Sequence, residues 1–144
     1  MHHGLETITI REVALTYPRH VERLKRVFCA SSAASIVREI VNNRPQEHLV
    51  VLHLDIKHHV VSYSIAGIGT VCSCLAHPRE VFGPALRANA SSIILAHNHP
   101  SGCVSPSSND YTVTQRIKEA GEILGVQLVD SLIVTDTDHY SMMR

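Results

Sequence analysis

Apolar positions recur along this chain with two periods, one near 3.6 residues and one near 2, and the alternation between them lays out the elements. From Ser31 or Ser32, residues Ala33, Ile36, Val37, Ile40 and Val41 fall at helical spacing, with serine as the expected cap. Asn42-Asn43-Arg44-Pro45 ends that helix. Glu47-His-Leu-Val-Val-Leu-His-Leu-Asp55 is short, apolar and β-branched, which predicts a buried strand. Asp55 to His58 reads as a turn and Val60 to Ile65 as a second strand paired with the first. Gly67 and Gly69 lack the wider glycine spacing of a dinucleotide loop and predict a turn or bulge, with Thr70 to Leu75 a further strand.

Pro78 stands where a helix starts, and Val81, Phe82, Ala85, Leu86 and Ala90 supply its apolar stripe. Ser92-Ile-Ile-Leu-Ala96 is a short buried strand that leads into His97-Asn-His99-Pro-Ser-Gly102, and residues 101–107 are loop by composition. Another helix begins near Ser107, buries Val113, Ile117, Ala120 and Leu124, and stops at Gly125. Val126 to Val134 predicts a strand, Asp136 to Asp138 a turn, and His139 to Met142 a last strand. At the other end, Ile8, Ile10 and Val13 suggest an extended piece before Pro18. Helices interleaved with strands predict an α/β layer fold with a mixed sheet.

The 144 residues fit one domain able to bury a core without disulfides. No apolar run approaches a membrane span, and Met1 to Ile10 lacks a signal core, so the expected location is cytoplasmic. Thirteen basic and 13 acidic side chains cancel, where a nucleic-acid binder usually shows a basic face. Arg19, Arg23, Lys25 and Arg26, with Glu22 among them, read as a solvated face. Cys72-x-Cys74 has neither zinc-ribbon nor thioredoxin spacing and reads as structural or incidental thiols. Eleven histidines are the unusual feature and direct the search toward metal.

His97 and His99 stand at i and i+2 at the end of a strand, so both imidazoles can point the same way and reach one ion. Asp110, on the first turn of the following helix, completes a set of two histidines and one carboxylate that leaves a fourth position open for water. The same spacing has a plainer reading: Ser107 and Asp110 also suit a helix cap with an acid at its third position, which needs no metal. Cys103 lies in the intervening loop, either as an exposed thiol or as a further ligand.

His97-Asn-His99-Pro100, six residues, then Ser107-x-x-Asp110 resembles the JAMM signature of MPN-domain metallopeptidases. The surrounding blocks are similar to the RadC branch: Gln46 to Asp55, Gly69-Thr70, His77-Pro-Arg-Glu80, Ile94 to Gly102, Pro106-Ser107 and Gly121-x-x-x-Gly125-Val-x-Leu-Val-Asp130. The sequence departs from the usual RadC wording at Ser131, where histidine is common, and over Ser62 to Gly67. The resemblance implies a three-layer α/β sheet flanked by helices, MPN (JAMM) or cytidine-deaminase-like. Residues 46–144 would form that domain, and residues 1–45 an N-terminal extension with one helix packed on it.

The resemblance further implies Zn2+ held by His97, His99 and Asp110. Glu47 would be the general base, with Ser107 aiding the polarised carbonyl oxygen. The implied activity is hydrolysis of a peptide or isopeptide bond in a peptide or protein substrate. Two alternatives belong to other classes: a DNA-repair-associated factor that binds DNA or acts as a phosphodiesterase, and a catalytically silent metal-binding scaffold. Residues 1–45 do not resemble the helix-hairpin-helix-like domain of longer RadC proteins, and charge does not support a nucleic-acid partner. No membrane partner is expected, and the sequence leaves the oligomeric state open.

Overall fold

Two apolar layers, one on each face of a mixed sheet, hold most of the buried apolar side chains among the described residues. The computed structural model describes residues 24–42, 44–69 and 76–144. Its elements in order are α1 (Ala30–Val41), β1 (His48–Leu54), β2 (Val60–Ile68), α2 (Pro78–Arg87), β3 (Ser92–Asn98), α3 (Ser108–Leu124), β4 (Gln127–Val134) and β5 (His139–Ser141). The sheet order is β2-β1-β3-β4-β5. β1 runs antiparallel to both β2 and β3, β3 parallel to β4, and β4 antiparallel to β5. This is the expected mixed α/β arrangement with helices on both sides. The extended piece at Ile8 to Val13, the Thr70 to Leu75 strand, the Cys72/Cys74 pair, Arg19 and Arg23 lie outside the described residues.

Side-chain alternation along β1 assigns the two layers. Val50, Leu52 and Leu54 join Ile94, Ala96, Leu132 and Val134 beneath Ala33, Ala34, Val37 and Val41 of α1. Leu49 and Val51 face the other way, with Ile93, Leu95 and Leu128, under Val81, Phe82 and Ala85 of α2 and Ile117 of α3. Every residue of β1 and β3 is therefore buried, the mark of a strand covered on both faces. Among the described residues no helix is long and apolar enough to cross a membrane.

Element ends show where local chemistry overrode the sequence reading. α1 starts at Ala30, with Cys29 as its cap; Ser32 works from inside the first turn, accepting from the Cys29 N–H at 3.1 Å. β2 does not stop at Ile65 but runs on to Ile68. Its register skips Ala66, because Leu49 pairs with Gly67 and Val50 with Ile65, so the glycine borders a bulge inside the strand. Pro78 opens α2, and Gly125 closes α3 in the left-handed region at φ 71°.

α3 packs closely at Gly121 against α2 and the chain leading into β4, where an added Cβ would lie 2.4 Å from the Val126 carbonyl oxygen and 3.2 Å from the Phe82 ring. Alanine normally favours a helix over glycine by about 1 kcal/mol. Here the contact with backbone should dominate, and Gly121→Ala is expected to lower stability by about 2 kcal/mol net, read as a melting temperature several degrees lower. A Gly121→Ala chain at least as stable as the parent would show that α3 can shift away from the sheet.

Candidate metal centre

Three chain segments meet at one end of the sheet: the entry to β1, the exit of β3 and the first turn of α3. Glu47 sits one residue before β1, His97 lies within β3, and His99 follows it by one residue past the strand. β1 and β3 are hydrogen-bonded neighbours, with Leu49 opposite His97, so a residue 50 positions earlier in the chain lies beside the histidine pair. Asp110 is the buried residue of the otherwise solvent-facing first turn of α3.

The two imidazoles converge as the strand geometry requires, with their Nε2 atoms 2.9 Å apart and ring centroids 4.7 Å apart. His99 Nδ1 lies 2.7 Å from the Cys103 carbonyl oxygen, which only accepts, so Nδ1 carries a proton and Nε2 is the nitrogen turned toward His97. Glu47 Oε1 stands 3.8 Å from His97 Nε2 and 3.9 Å from His99 Nε2. Asp110 Oδ1 stands 3.4 Å from His97 Nε2. Among the described residues, Glu47, His97 and His99 offer ligand atoms within 4.8 Å of one another, a spacing that can hold a metal ion.

Electrostatics favour a cation here. Burial lowers the His97 pKa to about 4, with Asp110 opposing and His99 adding to the shift, so the ring is neutral and able to ligate near pH 7. Burial raises the Glu47 pKa, with His99 opposing and Asp110 reinforcing the change. The two imidazoles and the Glu47 carboxylate make a donor set that a divalent ion fits, with the Asp110 carboxylate standing outside that trio beside His97.

Both readings of the Ser107–Asp110 spacing hold at once. Ser107 caps α3: its hydroxyl oxygen accepts from the Asp110 N–H at 3.1 Å, and its own N–H donates to Asp110 Oδ2 at 2.7 Å. The cap occupies Oδ2 and turns Oδ1 toward His97. Ser107 itself is exposed, and a hydroxyl that accepts in a cap can still donate its own proton. Cys103 is an exposed free thiol, and its contribution to the site comes from its backbone carbonyl.

Four residues around the centre had no chemical role in the sequence reading. Asn98, between the histidines, is buried; its Oδ1 accepts from the His48 N–H at 2.7 Å, and its Nδ2 donates to the Gln46 carbonyl at 3.1 Å. The buried His48 places Nδ1 2.8 Å from that same carbonyl. Thr114 of α3 meets Ser131 of β4, hydroxyl to hydroxyl at 2.8 Å, in a buried contact that ties the helix to the sheet behind Asp110. A polar side chain inside an otherwise apolar strand was the available signal, since buried amides and hydroxyls require partners.

Other histidines serve local structure. His53 is buried between the hydroxyls of Ser62 and Ser64, and His77 caps α2 by accepting from the Arg79 N–H. Lys25 pairs with Glu39, and Arg26 donates to the Lys57 carbonyl, so the described part of the basic cluster is spent on local contacts.

Sequence comparison agrees with this architecture. The family model for the RadC-like JAB domain matches residues 27–144. A UPF0758 protein of Rubrobacter xylanophilus is 47% identical over 107 residues, covering 74% of this chain and 47% of that protein. A UPF0758 protein of Clostridium kluyveri is 48% identical over 109 residues, 76% of this chain and 48% of its own length. One from Staphylococcus epidermidis is 40% identical over 138 residues, 96% of this chain and 56% of its own. The chain thus spans about half the length of these curated relatives. A family match that runs from ahead of α1 to the last residue, on a mixed sheet with helices on both faces, places this chain in the RadC-like JAB domain family.

Proposed function

We propose that this domain is a zinc-dependent hydrolase of JAMM type that cleaves a peptide or isopeptide bond. The observation that carries the reading is the convergence of the two Nε2 atoms with Glu47 Oε1 and Asp110 Oδ1. His97, His99 and Asp110 would hold the zinc, with Glu47 left as the base. Zinc, when bound, would polarise the substrate carbonyl and acidify a water toward neutrality.

The remaining chemistry belongs to the chain. Glu47, with its pKa raised by burial, takes the proton of the attacking water and returns it to the leaving amine. The Ser107 hydroxyl donates to the carbonyl oxygen as negative charge develops there. Substrate access is supported by two clefts, of about 430 and 610 Å³, that share Pro45, His99 and Pro100. An extended peptide crossing from one to the other would pass His99, which suits a peptide or protein substrate.

The test pairs elemental analysis with mass-spectrometric screening of a peptide and isopeptide library. About one zinc per chain is expected, with cleavage that a chelator stops and added zinc restores. A zinc-loaded chain that leaves the whole library uncut would favour the silent metal-binding scaffold.

A further inference from the structure

We propose that Asn98 is a positioning residue that sets the Glu47 carboxylate against the histidine pair. The inference rests on Glu47 acting at this centre, as argued above. Glu47 lies before the first residue of β1, and the β1–β3 ladder ends at the Leu49–His97 pair. The register with β3 thus stops two residues after Glu47, and strand ends are where pairing frays.

The Asn98 amide braces this strand end. Its Nδ2 donates to the Gln46 carbonyl, which belongs to the peptide bond before Glu47; its Oδ1 accepts from the His48 N–H, which belongs to the peptide bond after it. Fixing both peptide planes fixes φ and ψ of Glu47, and with them the direction of its Cα–Cβ bond. The partners also dictate the amide's orientation, because a flipped amide would set oxygen against oxygen and N–H against N–H.

Two further contacts brace the same segment. The Gly69 N–H donates to the Glu47 carbonyl at 2.7 Å from the β2 side, and His48 Nδ1–H donates to the Gln46 carbonyl. Asn98 differs from both in its place on the chain. It lies between His97 and His99, so one three-residue segment fixes the histidines and the backbone of the acid that faces them. An amide is required: aspartate lacks the donor, and serine is too short to bridge both peptide groups.

The experiment compares the zinc-loaded chain with Asn98→Ser, Glu47→Gln and the double variant. Crystal structures should show Glu47 Oε1 displaced by about 1 Å or more in Asn98→Ser, with zinc retained. With a cleaved library peptide, kcat should fall about 30-fold in Asn98→Ser, in line with the cost of a misplacement of that size. KM should stay within about threefold, and Asn98→Ser should add no further loss on top of Glu47→Gln.

A Glu47 carboxylate that stays in place, or losses that multiply in the double variant, would overturn the proposal. Should Asn98→Ser fail to fold, amide exchange in the unaltered chain decides: the His48 N–H must be protected like the core ladder, and exchange at loop rates refutes the clamp. If the unaltered chain cleaves nothing, the hydrolase reading fails on its own. The clamp is then judged by the Glu47 displacement and the His48 exchange.

Discussion

Replacing both histidines, His97→Ala/His99→Ala, is expected to reduce bound zinc from about one per chain to nearly none. The two Nε2 atoms are 2.9 Å apart and face each other, so they supply half of any four-coordinate shell, and Asp110 approaches only from the His97 side. Loss of both rings leaves carboxylates that bind a borderline-soft ion weakly at this pH. Thermal unfolding provides a readout that needs no substrate. An ion that binds the folded state at a thousand times its Kd adds about 4 kcal/mol, so added zinc should raise the melting temperature of the parent chain and leave the double variant unmoved.

The single variants should differ from each other. His97 has a side chain 7% exposed, and its truncation opens a gap in the sheet-facing layer; His99 is 17% exposed, and its truncation mainly frees the Cys103 carbonyl. His97→Ala should therefore cost more stability before any metal is added. Full zinc occupancy in the double variant would remove the centre from this end of the sheet.

Much of this fold was legible because the apolar periods are clean. β1 and β3 each hold an unbroken run of apolar residues, Leu49 to Leu52 and Ile93 to Ala96, and such runs belong to strands covered on both faces. Pro78 and Gly125 punctuate α2 and α3 where their backbone preferences say they should. The misjudged ends have a common cause. Ile65 was read as the end of β2 because two glycines follow, yet a bulge at Ala66 absorbs the irregularity and the ladder continues to Ile68. Serine's capping preference points to Ser31 or Ser32 as the first cap, yet Ser32 stands at the third helical position and its hydroxyl reaches back to the Cys29 N–H instead. Local chemistry of this kind is visible only once the neighbouring backbone has a position.

The centre was legible in a different measure. The His97–His99 spacing speaks for itself, since i and i+2 share a side of a strand. Glu47 does not: nothing local distinguishes it from an exposed acid before a strand, and it joined the set only through resemblance. Its nearness to the histidines is a product of the β1–β3 pairing, which links positions 50 residues apart. Asn98 was in view inside the signature yet passed without a role, because its partners are backbone groups with no sequence signal of their own.

Glu47→Gln should separate the base from the ligands. The substitution is nearly isosteric, keeps a hydrogen-bonding group and removes the basic lone pair, so the fold should survive and zinc should stay bound. Turnover on a cleaved peptide should fall by roughly two to four orders of magnitude, the usual worth of general acid–base catalysis, with little change in KM because the loss is confined to the chemical step. The geometry makes this a sharp test, since Glu47 Oε1 lies at nearly equal distances, 3.8 and 3.9 Å, from the two histidine nitrogens and is close enough to serve as a ligand instead. Zinc loss in Glu47→Gln would make Glu47 a ligand and demote the His97, His99, Asp110 set. Near-normal turnover with zinc retained would move the base elsewhere. Glu80 is a poor substitute, because its carboxylate lies on the exposed start of α2 beside Arg79, 3.4 Å away, outside the cluster that Glu47 shares with the histidines.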